Sequence, residues 1–281
     1  DSLQIDTVYQ SLKNQVKTYQ LAGGKSNFDK AGEILRRIAL SDTTNFNAIY
    51  EFADFCRRQN DYKEAEIYFD RCLNLLQVSK DNEDEYLNKL SGCQIRLANL
   101  YMDTQRFAES EAMYKSALDV YERLAKANPV AYEPDLARTQ MNLAFLYCDT
   151  QRFAESEAMC KSALEIRMRL AKANPVAYEP ALAITKVLLA CVYMSTQRFA
   201  ESESMCISAL KINPNIHLAY TNLAAALLFQ GKVEEAEKIY RQYKAELKDV
   251  FLMDFAEFER AGVIPEERKA DVERIKAMLN E

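Results

Sequence analysis

Residues 103–136 read DTQRFAESEAMYKSALDVYERLAKANPVAYEPDL, and residues 149–182 read DTQRFAESEAMCKSALEIRMRLAKANPVAYEPAL. The two agree at 28 of 34 positions with an offset of 46. A third copy opens STQRFAESESMCISAL at Ser195, another 46 residues on. Self-similarity at a fixed period of this size means stacked supersecondary units, each burying its apolar face against the next.

Each copy carries two helical patterns. The first, RLANLYMDT (96–104), NLAFLYCDT (142–150) or LLACVYMST (188–196), pairs a small residue with a tyrosine three positions later. Those pairs are Ala98 with Tyr101, Ala144 with Tyr147 and Ala190 with Tyr193, and residues three apart share a helix face. The second pattern runs from Phe107, Phe153 or Phe199 through the SAL tripeptide. In it Phe107, Ser110, Tyr114 and Ala117 repeat as Phe153, Ser156, Cys160 and Ala163. The short DTQR or STQR turn between the two makes them antiparallel neighbours. Weaker copies flank these, at 50–73 and 221–243, and NFDKAGEILRRIAL (27–40) supplies the second helix of a first unit.

This helix-turn-helix pattern resembles the tetratricopeptide repeat. Ala31, Ala65, Ser110, Ser156, Ser202 and Ala236 are spaced 34, 45, 46, 46 and 34 apart, and 34 is that family's period. The near-identical pair also resembles the long repeats of bacterial proteins related to kinesin light chain and nephrocystin. Ser replaces the usual small Ala at three sites, and the first unit is degenerate. The resemblance implies an all-α, right-handed solenoid of about six helix pairs over residues 1–246, with the degenerate repeat at about 12–45 and the long repeats at about 91–182.

The 11–12 extra residues of each long repeat, LAKANPVAYEP, predict that both helices of a pair are lengthened. Asn128-Pro129 reads as the stop of the second helix, because the residue before Pro is pushed out of helical backbone. Pro134 and Pro180 then fit the first turn of the next helix. Residues 78–90 are expected to play the same part before the third unit. Residues 247–281 read as a helical cap, with Phe251, Phe255 and Phe258 on one helix and Val272, Ile275 and Leu279 on another, covering a stacking face that would otherwise be exposed.

Composition supports helices: 6 Gly and 6 Pro in 281 residues is about a third of average usage. The net charge of −6 argues against nucleic acid as a partner. No apolar run approaches the ~20 residues of a membrane span, so no membrane association is expected. The single His217 and the absence of CxxC pairs leave no metal or cofactor motif, and no phosphate loop, HExxH or GxSxG occurs. Seven cysteines, all within helical patterns, read as reduced core residues. They favour a cytoplasmic location, or a periplasmic one if a signal sequence was removed. The chain begins at Asp1 rather than Met, so its start is expected to be set by processing or by design.

With no catalytic constellation, function is expected from surface. The first helices of stacked pairs line a groove, and their residues not used in stacking include Arg96, Asn99, Arg138, Met141, Asn142, Phe145, Val187, Leu188, Cys191 and Asn222. The second unit contributes Tyr50, Glu51, Asp54, Arg57 and Arg58. Asn carries both donor and acceptor, and in this family such asparagines hold a bound backbone; Asn142 and Asn222 match by their NLA context. Members that bind chaperone C-termini use a clamp of cations around two asparagines. Anchored at Asn99 and Asn142, this chain puts Ile95, Ile184 and Leu188 where cations are needed, which excludes acidic chaperone C-terminal peptides. Packing is the competing reading for Val187, Leu188 and Met194. The expected function is a monomeric, non-catalytic protein- or peptide-binding scaffold. The alternatives are a sensor whose groove binds a small peptide or metabolite and controls an effector, and a thiol enzyme using Cys148 or Cys191.

Overall fold

A computed structural model describes residues 11, 12, 14–19, 21–78 and 83–281, and within them all regular structure is helical. Contacts divide the chain into two compact units, Asp1–Ala127 and Asn128–Glu281. In the first unit a helical segment within residues 11–22 precedes α1 (Lys25–Ser41), α2 (Phe46–Arg58), α3 (Tyr62–Val78), α4 (Glu83–Asp103) and α5 (Phe107–Ala127). In the second unit lie α6 (Pro129–Asp149), α7 (Phe153–Ala173), α8 (Pro175–Ser195), α9 (Phe199–Ile212), α10 (His217–Phe229), α11 (Val233–Gln242), α12 (Lys244–Arg260) and α13 (Lys269–Asn280). Part of the expected connector at 78–90 falls on residues 79–82, outside the described residues; from Glu83 onward it is helix.

The sequence pairs are hairpins: α2 packs on α3, α4 on α5, α6 on α7, α8 on α9 and α10 on α11. First helices also touch one another within each unit, α2 with α4, α6 with α8 and α8 with α10. The small positions Ala53, Ala98, Ala144, Ala190 and Ala224 are fully buried, which is what lets these backbones approach. At two of the three sites Ser in place of Ala finds a partner, whereas the Ser202 hydroxyl is buried without one. Ser110 Oγ donates to the Ala98 carbonyl at 2.9 Å and Ser156 Oγ to the Ala144 carbonyl at 2.8 Å. Buried hydroxyls are usually satisfied, and at these two sites the bond ties the second helix to the first.

The DTQR turn closes each long first helix. Gln105, Gln151 and Gln197 sit at φ 58–59°, in the left-handed region. The Arg106 N–H bonds the Tyr101 carbonyl at 2.7 Å and the Gln105 N–H bonds the Met102 carbonyl at 2.9 Å. This is the paired closure of a Schellman end, built on Gln where Gly231 serves in the shorter hairpin. The arginines then fold back over the tyrosines, with guanidinium carbons 4.1, 4.3 and 4.2 Å from the rings of Tyr101, Tyr147 and Tyr193. Arg106 also reaches Glu66 at 2.9 Å and Arg198 reaches Glu157 at 2.7 Å, each on the second helix of the preceding pair.

The starts of α6 and α8 differ from the sequence expectation. The Asn128 side chain caps the Ala131 N–H and Asn174 caps that of Ala177, both at 3.2 Å, with Pro129 and Pro175 in the first turn. Pro134 and Pro180 therefore lie inside their helices, not at the start. The cost is low, because Pro134 deprives only the carbonyl of Val130, a residue exposed to water. Both long helices reach 21 residues. Helix α8 is long and apolar enough by composition to cross a membrane, contrary to the expectation, but half of that window is buried against its neighbours.

At the C-terminal end Phe251, Phe255, Val272, Ile275 and Leu279 are buried in one cluster with Leu227 and Tyr240, and Phe258 packs at its margin. The Tyr240 ring lies 4.7 Å from that of Phe251. Helix α12 starts at Lys244, whose ammonium donates to the Met278 carbonyl at 2.7 Å and so ties α12 to α13.

Candidate functional site

Aligned on their buried alanines, three positions recur on the first helices of the second unit. Six residues before the alanine stand Arg138, Ile184 and Leu218. Two before it stand Asn142, Leu188 and Asn222, and one after it Phe145, Cys191 and Ala225. The first row is open throughout: the Arg138 side chain is 48% exposed, Ile184 50% and Leu218 49%. The other two rows close along the helices. Asn142 is half-buried, but Leu188 and Asn222 are each 5% exposed; Phe145 is 42% exposed, Cys191 half-buried and Ala225 buried.

The closing has identifiable causes. Helix α12 packs against α10, and α8 runs between α6 and α10, so a wider arc of its circumference meets neighbours. Val187 packs with Ala209 and Ala219, and Met141 and Met194 are buried as well. The Asn222 amide donates to the Leu218 carbonyl at 3.0 Å and to Cys191 Sγ at 3.2 Å. Both of its N–H groups are thus spent inside the fold. Met141, Val187, Leu188 and Asn222 are packing residues, a correction to their expected place on a ligand surface. Arg138, Asn142 and Phe145 stay on the face of α6, with Arg138 held by Asp135 at 2.5 Å. Sequence reasoning passed over Ile184 and Leu218 as candidates, though their register with Arg138 marks them.

Neither Cys148 nor Cys191 is an activated nucleophile. All seven cysteines are free thiols. Burial pushes Cys148 up to about 11 and Cys191 to about 12, the latter against the opposing amide of Asn222. A thiol so shifted stays protonated at neutral pH. The His217 ring is exposed and lies 3.9 Å from Glu246. Among the described residues no cluster of His, Cys, Asp and Glu can hold a metal ion.

In the first unit the equivalent faces are charged. Asp54 is only 7% exposed. Its Oδ2 lies 2.6 Å from Arg58, and its Oδ1 lies 3.5 Å from Arg96 and 3.6 Å from Arg57. Arg57 continues to Asp103 at 2.7 Å. Arg96 Nε donates to the Tyr50 hydroxyl at 3.1 Å, and the Tyr114 hydroxyl donates to Asn99 Oδ1 at 2.5 Å. Asn99 is therefore engaged within its own hairpin. Of the cation positions a chaperone clamp requires, Ile95 and Leu188 are buried and apolar, and Ile184 is apolar.

Family models described as tetratricopeptide repeat match residues 48–85, 91–130, 136–175, 185–216 and 205–238, together more than half of the chain. The chain belongs to the tetratricopeptide repeat family. Its long repeats are similar to those of kinesin light chain. The structure of a putative kinesin light chain of Podosopora anserina with nearly identical TPR-like repeats is 16% identical, covers 74% of this chain and 96% of its own, and superposes with a TM-score of 0.57. BtubC (BKLC) from P. vanneervenii is 20% identical over 96% of this chain and 92% of its own, with a TM-score of 0.54. PilW, described as a widely conserved type IV pilus biogenesis factor, is 17% identical over 85% of this chain and 94% of its own, with a TM-score of 0.62. At these identities the likeness is one of fold: an all-α tetratricopeptide-repeat solenoid. No curated protein matches the chain in sequence. The fold and family are those of protein-interaction scaffolds, which are generally non-catalytic.

Proposed function

We propose that this tetratricopeptide-repeat chain is a non-catalytic scaffold that binds a protein or peptide partner on the first helices of its second unit. The observation that carries this reading is the open row Arg138, Ile184 and Leu218, one residue from each of α6, α8 and α10, with Phe145 beside it. The exposed halves of Ile184 and Leu218 gain nothing for the fold. Fully covering such a side chain is worth roughly 1.5–3 kcal/mol, so covering the exposed half supplies about 1 kcal/mol each. Asn142, half-buried on the same face, offers a donor and an acceptor to a backbone. The partner that suits this surface is an extended segment with apolar side chains and an acidic group near Arg138.

A photoreactive side chain placed at Ile184 or Leu218 tests this. Peptides selected on the full chain from a displayed random library are expected to crosslink at both positions. Crosslinking confined to a second-helix position such as Met168 would overturn the assignment of the surface.

A further inference from the structure

The open row of the second unit does not stop at α10. Helix α12 packs against α10. The His217 ring at the start of α10 lies 3.9 Å from Glu246, and a hydrogen bond joins Thr221 to Asp254. Between those two contacts stand Leu218 on α10 and Val250 on α12, 49% and 39% exposed. Arg138, Ile184, Leu218 and Val250 thus form one row, a single half-open side chain from each of α6, α8, α10 and α12. These four helices touch in that order.

The row sets the interval at which a chain lying across it must present side chains. Packed helices stand about 8–10 Å apart. A β-strand returns to the same face every second residue, at ~6.6 Å, and at ~10 Å it faces away. An α-helix returns after seven residues, at ~10.5 Å, but its backbone groups already bond one another, which leaves Asn142 nothing to hold. Polyproline II returns every third residue, at ~9 Å, with its carbonyls unbonded. Of the three, it alone matches the interval and gives the Asn142 amide an acceptor. The 42% exposed Phe145 ring adds aromatic surface of the kind on which such segments pack. The ends of the row differ in charge. Arg138 stands on α6, and Glu246, 65% exposed, stands one turn before Val250 on α12.

We infer that the partner is a polyproline II segment with an apolar side chain at every third residue, an acidic residue at the end near Arg138 and a basic one at the end near Glu246. The inference rests on the partner row proposed above and names what lies in it. The apolar side chains seat on Ile184, Leu218 and Val250, and the Asn142 amide donates to a backbone carbonyl close to the acidic end.

Fluorescence polarisation of labelled peptides on the full chain tests the inference. The probe is EPPLPPLPPLPPR, used also in reverse order to cover both chain directions, and one of the two is expected to bind saturably. EPPPLPLPLPPPR, the same composition with leucine at every second position, is expected to bind about tenfold weaker or worse. ESSLSSLSSLSSR keeps the period without the proline bias and is expected to bind about threefold weaker or more, since it is not preorganised. Arg138→Gln is expected to weaken the probe but not the probe with glutamine in place of its glutamate. Val250→Ser is expected to weaken the probe but not a version ending after the second leucine. Equal binding of the period-two or the serine peptide, or no saturable binding in either direction, would overturn the inference. The row itself is read separately. Library-selected peptides that crosslink at Ile184 and Leu218 without a period of three leave the row in place and overturn only this partner. Selected peptides that crosslink at neither overturn both.

Discussion

The first helices of the two units share one frame and differ in what they do with their remaining surface. In Asp1–Ala127 the face is a charged network around Asp54 and Arg96; in Asn128–Glu281 the equivalent face is apolar and largely consumed by packing, leaving a narrow open row. A buried charge must be paired, and Asp54 spends this face on Arg57, Arg58 and Arg96 beside a cavity. An apolar face invites neighbours to cover it, and α12 does so at α10. The repeat frame sets where surface is presented, and the side chains set how much of it remains.

The largest effect that tests this contrast comes from a pair of aspartates four residues apart. Leu188→Asp places a charge in a packed interior and is expected to cost about 3 kcal/mol or more, unfolding the second unit. Ile184→Asp gives up only the buried half of one side chain and is expected to cost about 1 kcal/mol. Thermal melting checks both, and equal melting of the two variants would erase the difference between the rows.

Next is Asp54→Ala. It leaves Arg57, Arg58 and Arg96 without their shared anion and is expected to cost about 2–3 kcal/mol, less than a wholly buried pair because Arg58 reaches solvent. Arg138→Ala, in the second unit, removes only a surface pair and is expected to cost less than about 0.5 kcal/mol. Denaturant unfolding of the two variants measures the gap.

Asp254 sharpens the account of how the second unit closes. Burial raises its carboxyl to about 6 from the ordinary 3.8, against the lowering effect of the Thr221 hydroxyl, while Glu257 pushes it further up. A group whose folded value is raised favours the fold when protonated, below the unfolded value. That contribution is lost as pH rises through about 6. Asp254→Asn keeps the neutral form at every pH. Its expected gain is about 1 kcal/mol above pH 7, discounted for partial exposure, and near zero at pH 4. Melting curves of the variant and the parent at the two pH values compare directly.

The smallest effect concerns the turns. Gln105 and Gln151 hold left-handed backbone that Gly adopts freely. Each Gln→Gly change is expected to stabilise its unit by about 0.5–1 kcal/mol. Loss of stability would show that the Gln side chains hold the turn.

The hairpin frame was readable because duplication wrote it out: Ala144 and Tyr147 repeat Ala98 and Tyr101 to the residue. The start of α6 was misplaced because Asn-Pro carries two signals. Pro129 stops the preceding helix, but Asn128 also caps the next one and Pro129 occupies its first turn, a role assigned to Pro134. The binding face was harder. A helical wheel puts Leu188 and Asn222 on the same arc as Asn142, and nothing local says that α12 and the flanking helices cover them. The charged residues around Asp54 were legible as surface, but not the cavity they line, since Val16 and Leu35 come from elements far off in sequence.

The central claim is that partner binding resides on the open row and not on the packed residues beside it. Affinity and melting temperature measured together on Ile184→Asp and Met168→Asp, with a peptide selected on the parent chain, test it most directly. Both variants are expected to stay folded, within about 1 kcal/mol of the parent, and Ile184→Asp alone is expected to lose affinity by about tenfold or more, the worth of ~1.4 kcal/mol. Unchanged affinity in Ile184→Asp, with loss in Met168→Asp, would contradict the claim and move the binding surface to the second helices.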